Sequence, residues 1–234
     1  MGAQPTVSRD QFNGQPSLLF DGEKQFLNID GELLVDQPCT IIAVVQDKVM
    51  DRENPKVGDR EILSNWLRDK NTSSSLFLGL TSTNVVRFSD AYPFAGEIQQ
   101  SSEPLILVAT NSPGQVAVYQ NGNLISSIGS ELIERKLEGP WVVGTQGDHG
   151  KEYWDGHIAE IRVYERALMT DDRRRVEEEL AARYGIKLGP AQVVDSFASD
   201  MTIGDPQQRH LAAQRALASL ALVLLNSNEF IYID

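Results

Sequence analysis

The chain has 234 residues, 41% of them hydrophobic and 23% charged, a composition that excludes a largely disordered or fibrous protein and suits one large domain or a medium one with an appendage. Its 33 Asp and Glu against 21 Lys and Arg leave a formal charge of −12, which repels phosphate backbones and anionic headgroups, so neither nucleic acid nor a membrane surface is expected as a partner. One cysteine, Cys39, excludes an internal disulfide and a cysteine-based zinc cluster, and its place before the apolar run Thr40-Ile41-Ile42-Ala43-Val44-Val45 marks it as core filler.

The first residues carry no charged and then apolar leader, so no signal peptide is expected in this chain; Gly2 and Thr6 fit the loose N-myristoylation pattern, which matches often by chance. From residue 17 to about 164, short apolar or alternating runs are separated by Gly, Asn, Asp and Pro, the pattern of many strands joined by turns. The predicted strands are 17–20, 26–29, 40–46, 61–66, 76–80, 85–88, 105–110, 115–120, 124–128, 141–144 and 157–164. The runs at 41–45 and 105–109 do not alternate, as expected of central strands covered on both faces. Asn121-Gly122 between alternating runs supplies the two positive φ angles of a type I′ hairpin turn. The stretches 47–59 and 90–104 lack any period and read as long exposed loops.

After Tyr164 the period changes. Thr170 is the expected N-cap, Asp171 and Asp172 complement the helix dipole, Val176, Leu180 and Tyr184 form a stripe, and Gly185 suits the position just past the helix end. Arg173-Arg174-Arg175, flanked by Glu177-Glu178-Glu179, reads as a solvated helix face. Residues 188–205 read as a linker, and Asp205-Pro206 opens a C-terminal helical tail over 206–234. There Leu211, Leu217, Leu220 and Leu224 mark an apolar side, with Leu217, Leu220 and Leu224 the expected interface to a partner domain or a second copy. The longest apolar stretch is too short to cross a bilayer, which needs about 20 residues.

Phe20-Asp21-Gly22 with Phe26-Leu27-Asn28-Ile29, the Val118–Gly122 hairpin, and Gly156-His157-Ile158-Ala159-Glu160-Ile161-Arg162-Val163-Tyr164 with Arg166-Ala167-Leu168 resemble the concanavalin A-like, laminin-G-type lectin/glucanase superfamily over about residues 12–187. The resemblance implies an all-β fold, an antiparallel two-sheet jelly-roll sandwich with one helix after it. The tail from Ala218 to Tyr232 resembles the end of planctomycete-type multidomain proteins of unknown function. That resemblance alone favours an extracytoplasmic setting, periplasmic or at the cell surface.

Glucanases of this fold use carboxylates alternating along one strand, since a period of 2 places i, i+2 and i+4 on one face. In 157–164 only Glu160 fits, flanked at two residues by Ile158 and Arg162, and it reads as an ion-paired structural group; Glu61 and Glu97 are lone carboxylates. The expectation is therefore a domain without catalysis. Laminin-G relatives often hold calcium through loop oxygens, and the loop 146–156 offers Asp148 and Asp155 as candidate ligands, although Asp155-Gly156 also reads as a turn. A transition-metal site from His149 and His157 is disfavoured, with His210 far away. A sugar needs an aromatic platform with polar neighbours, for which Trp154 beside Asp148 and Asp155 is the best group; Trp66 and Trp141 read as core, and Tyr92 and Phe94 as weaker rim groups. The expected function is a non-catalytic carbohydrate- or protein-binding module within a larger bacterial surface or periplasmic protein, with calcium the one candidate cofactor and a glycan or another protein domain the partner. The alternatives are a glycoside hydrolase of the same fold and a purely structural, oligomerising domain.

Overall fold

A computed structural model describes residues 4–31, 33–34, 38–49, 58–67, 75–89, 103–129, 131–132, 137, 140–148 and 150–190. Within them the chain runs through β1 (Thr6–Phe12), β2 (Gln15–Asp21), β3 (Leu27–Ile29), β4 (Cys39–Asp47), β5 (Arg60–Ser64), β6 (Phe77–Leu80), β7 (Val86–Phe88), β8 (Leu105–Ser112), β9 (Gln115–Gln120), β10 (Asn123–Ile128), β11 (Trp141–Val143), β12 (Asp155–Tyr164) and α1 (Thr170–Tyr184). The strands form two antiparallel sheets, one ordered β1-β2-β12-β4-β8-β9-β10 and the other β3-β11-β5-β6-β7.

The burial of β4 and β8 explains their unbroken apolar sequences. Ile41, Ala43 and Val45 with Leu105, Leu107 and Ala109 face the second sheet and join the core between the sheets. Ile42, Val44, Ile106 and Val108 face outward and are covered by Leu180, Ala181 and Tyr184 of α1. A strand buried on both faces has no polar side to alternate with. Both lie centrally in the seven-stranded sheet, as their sequences require. The hairpin between β9 and β10 turns at Asn121 (φ 48°) and Gly122 (φ 82°). Asn121 also ties the turn to β8, its Oδ1 accepting the Ile106 N–H at 2.8 Å. Cys39 is fully buried.

The eleven predicted strands are all present, with ends shifted by a few residues. The strand β1 is an addition that extends the sheet N-terminal to residue 12. It is an edge strand whose side chains are mostly exposed, so no apolar alternation announces it, although Asn13-Gly14 (φ 51° and 75°) is a second hairpin signal. At the helix start Met169 is the N-cap, with extended backbone and no side-chain cap bond, and Thr170 is the first helical residue. Gly185 ends the helix in the left-handed region as expected (φ 70°), its N–H bonding the Ala181 carbonyl.

The arginine run is not a solvated face. Arg173 is 3% exposed; its guanidinium stacks 3.6 Å from the Tyr119 ring centroid and pairs at 2.6 Å with Glu177, itself fully buried. Arg174 is partly covered and bonds Glu178 and the Gly189 carbonyl, which leaves only Arg175 of the three largely exposed. Trp141 lies in the core, but Trp66 does not. Strand β5 stops at Ser64, whose Oγ accepts the Trp66 N–H, and the ring lies half-buried, stacked on Phe77 at 5.4 Å. The expected tail helix with Leu217, Leu220 and Leu224, nearly all of the linker, His149, His210, Tyr92 and Phe94 fall outside the described residues. Among the described residues no helix is long and apolar enough to cross a membrane.

Candidate functional site

The three residues expected to form a sugar site are not brought together. Trp154 is 0% exposed within the core between the sheets, so its ring is no platform for a ligand arriving from solvent. The residue before a strand inherits the strand's inward and outward alternation, and Trp154 falls on the inner side with Ile158. Asp148 is exposed, and its Oδ1 accepts the Gly150 N–H at 2.9 Å, closing a local turn.

Asp155 alone reaches an open cleft of about 380 Å³, lined by Thr6, Leu19, Phe20, Asp21, Gln25, Lys48 and Asp155. The strand register builds it: Asp155 pairs with Asp21, and His157 with Leu19, which pairs in turn with Thr6. The cleft therefore lies where β12 begins and β4 ends, away from the part of the sheet that α1 covers. Its walls are fixed by backbone bonds, from the Gly22 N–H to the Trp154 carbonyl at 3.0 Å and from the Lys48 N–H to the Asp155 carbonyl at 2.9 Å. The Arg60–Asp47 ion pair, buried at the end of β4, holds the turn that carries Lys48. Asp21 Oδ1 accepts the N–H groups of Glu23, Lys24 and Gln25. Burial raises its carboxyl, but these bonds together with the Lys24 charge outweigh it and hold the group below the usual range. Opposite Leu19 on β12, His157 is 1% exposed, with Nδ1 3.0 Å from Ser17 Oγ; burial and Lys48 push its pKa down, with Asp10 opposing.

Calcium takes six to eight oxygens. Among the described residues no group of three or more His, Cys, Asp or Glu is placed to hold a metal ion. Asp148 does not line the cleft with Asp155, Asp21 is committed to capping its own turn, and the cleft also holds a lysine. Asp148 and Asp155 therefore do not fit a calcium cage.

A second polar cluster lies on the outer face of the five-stranded sheet. Glu61, Gly79 and Arg87 stand in one transverse row, Glu61 opposite Gly79 and Gly79 opposite Arg87. Arg87 Nη1 lies 3.1 Å from Glu61 Oε1 and 3.6 Å from Asp59, and bonds Glu152. The guanidinium also stands 5.0 Å from the Phe77 ring centroid and 5.7 Å from that of Trp66. Glu61 is fully buried. Burial pushes its carboxyl well above the usual range; Arg87 opposes this, while Glu152 and Asp59 add to it. A charged residue at an alternate position of an apolar strand, as in Val86-Arg87-Phe88, is the sequence signal that could have drawn attention to this row. Glu160, as expected, is an ion-paired structural group, bound by Arg162, by Arg183 at 2.9 Å and by the Tyr184 hydroxyl at 2.6 Å.

Residues 58–172 match the family model described as the concanavalin A-like lectin/glucanases superfamily, of the laminin G type. In structure the chain is similar to the native heptameric SAP-like pentraxin from Limulus polyphemus, with a TM-score of 0.50 and 15% identity over 81% of this chain and 91% of that one. Two further similar structures are the Ruminococcus gnavus IT-sialidase CBM40 bound to alpha2,3 sialyllactose (TM-score 0.49, 14% identity, 71% of this chain and 96% of that one) and domain 4 of AbnA, a GH43 extracellular arabinanase from Geobacillus stearothermophilus, in complex with arabinotriose (0.49, 13%, 78% and 82%). At such identities the likeness is one of fold. No curated protein matches the chain. The sandwich is the concanavalin A-like jelly roll that the sequence resemblance implies.

Proposed function

We propose that this concanavalin A-like, laminin-G-type sandwich is a non-catalytic binding module and that its ligand is a carbohydrate taken up in the cleft at the start of β12. The observation that carries the reading is the cleft itself. At about 380 Å³ it falls within the range of small-ligand sites, and Asp21, Gln25, Lys48 and Asp155 converge on it from three segments. Fixed carboxylates, an amide and an ammonium are donors and acceptors suited to sugar hydroxyls, and Leu19 supplies an apolar part of the wall. The family description, which covers both lectins and glucanases, supports the same class. Glu61, one of the lone carboxylates of the sequence, is fully buried and so does not offer a solvent-facing acid. A place within a larger bacterial surface or periplasmic protein rests on the resemblance of the tail.

The test is a panel of neutral, amino and acidic oligosaccharides followed by titration calorimetry, on the native protein and on the Lys48→Ala and Gln25→Ala variants. Binding that both variants weaken supports the cleft. A flat panel overturns the carbohydrate reading, and binding that neither variant changes moves the site elsewhere.

A further inference from the structure

Among the described residues, the acidic row on the five-stranded sheet brings three carboxyls to one guanidinium. Asp59, Glu61 and Glu152 all face Arg87, the two glutamates from β5 and from the segment that leads into β12. Arg60, next to Glu61, is engaged with Asp47 and the Thr81 carbonyl instead. Neither carboxyl oxygen of Glu61 accepts an aligned hydrogen bond, although both are buried. A fully buried carboxylate in that state leaves its lone pairs unsatisfied, whereas the neutral acid donates its O–H to a neighbouring carboxylate. Glu152 is that neighbour, since its carboxylate bonds the same Arg87 Nη1 that lies 3.1 Å from Glu61 Oε1. It sits in the left-handed region (φ 60°), a strained place for a glutamate, and its carbonyl accepts the Glu61 N–H at 2.9 Å. Three residues on, Asp155 forms the wall of the cleft.

We propose that Glu61 is held as the neutral acid and donates its proton to the Glu152 carboxylate, and that this bond adds to the backbone bonds that fasten residues 150–155, and with them the Asp155 wall of the cleft, to the five-stranded sheet. The latch stands on the cluster's geometry, while its bearing on ligand uptake rests on the binding reading above. Loss of the proton to solvent leaves two carboxylates on the same Arg87 Nη1, one of them fully buried. Repulsion then favours release of Glu152, the partner on the irregular segment. Glu61's folded pKa is raised, so the contribution is complete below the unfolded value of about 4.3 and is lost as pH rises through the folded value. The fold therefore holds the cleft wall firmly in mild acid and loosens it in base.

The experiment needs no glycan, so a flat sugar panel sinks the binding reading and leaves the latch standing. Amide exchange, corrected for the intrinsic rate, is followed at Glu61, Lys48 and Trp154 from roughly pH 5 to 9, the span over which buried glutamates are known to titrate. The expected result is a fall in protection of about tenfold or more in the native chain, and a flat profile in Glu61→Gln, which keeps the shape of the neutral acid. Carbon-13 titration of the glutamate carboxyls in the native protein decides the matter should Glu61→Gln not fold. A Glu61 carboxyl that titrates in the ordinary glutamate range, or protection at Trp154 and Lys48 that does not change with pH, overturns the proposal.

Discussion

Glu61 Oε1 lies 3.1 Å from Arg87 Nη1 although the two residues stand on strands separated by a third. The residue between them in the row is Gly79, and its missing side chain is the space through which the pair meets. A Cβ built there would fall on the Arg60 carbonyl oxygen and come within 2.9 Å of Glu61 Oε2. The glycine is thus required by the close approach of backbone and carboxyl in an otherwise apolar strand.

Gly79→Ala is accordingly expected to destabilise the fold by at least about 2 kcal/mol, since the opposing carbonyl is part of the β5–β6 ladder and has nowhere to retreat. Urea denaturation checks it through a lower midpoint at an unchanged slope. A midpoint equal to that of the native chain would falsify this account of the glycine.

The Arg173–Glu177 pair under the helix gives a second test. Arg173 fills the space over Tyr119 and neutralises a carboxyl that burial holds above its usual range. Arg173→Met removes that charge and strands Glu177, so a loss of about 3–5 kcal/mol is expected. Replacing both residues, Arg173→Met with Glu177→Leu, should cost less than the single change, because no unpaired charge stays buried. Equal losses in the two variants, measured by denaturant unfolding, would show that the charge is not what matters there.

The sandwich was legible because its strands obey local rules. The unbroken runs of β4 and β8 mark strands buried on both faces, Asn121-Gly122 marks a hairpin, and Gly185 marks a helix end. Strand β1 was not legible, because an edge strand with mostly exposed side chains has no face to encode. The site was mostly hidden for a different reason. Trp154, Asp155 and Asp148 are neighbours along the chain but point into the core, into the cleft and into solvent, while the groups that do converge on Asp155 come from residues 6, 21, 25 and 48. Likewise Glu61 and Arg87 are 26 positions apart and meet only through strand register, so Glu61 read alone is a lone carboxylate.

The cleft makes a prediction that separates it from the buried tryptophan. Lys48→Ala or Gln25→Ala, each losing one hydrogen-bonding group, should weaken a bound oligosaccharide by roughly 3–10-fold while leaving the melting temperature near its native value. Trp154→Ala should instead cost about 3–5 kcal/mol of stability through the cavity it leaves, and Trp154→Phe should retain binding. Calorimetry and thermal unfolding on the same four variants distinguish the two roles; loss of binding in Trp154→Phe at native stability would restore the ring to the site.

Tyr184 links helix α1 to β12 through its hydroxyl, which donates to Glu160 Oε2 at 2.6 Å. Burial and the adjacent Glu160 carboxylate both push the phenol well above its ordinary range, with Arg183 opposing. A phenol with a raised folded pKa contributes stability that is complete below the unfolded value of about 10 and is lost as pH climbs from there toward the folded value. The native chain should therefore lose stability above about pH 10, and part of that loss should be absent in Tyr184→Phe. At neutral pH the same substitution should cost about 1–3 kcal/mol, because a charge-assisted bond is gone and Glu160 keeps only its arginine partners. Parallel alkaline denaturation curves for the two proteins would mean that Glu160 does not hold the phenol in its neutral form and that the joint between helix and sheet rests on packing alone.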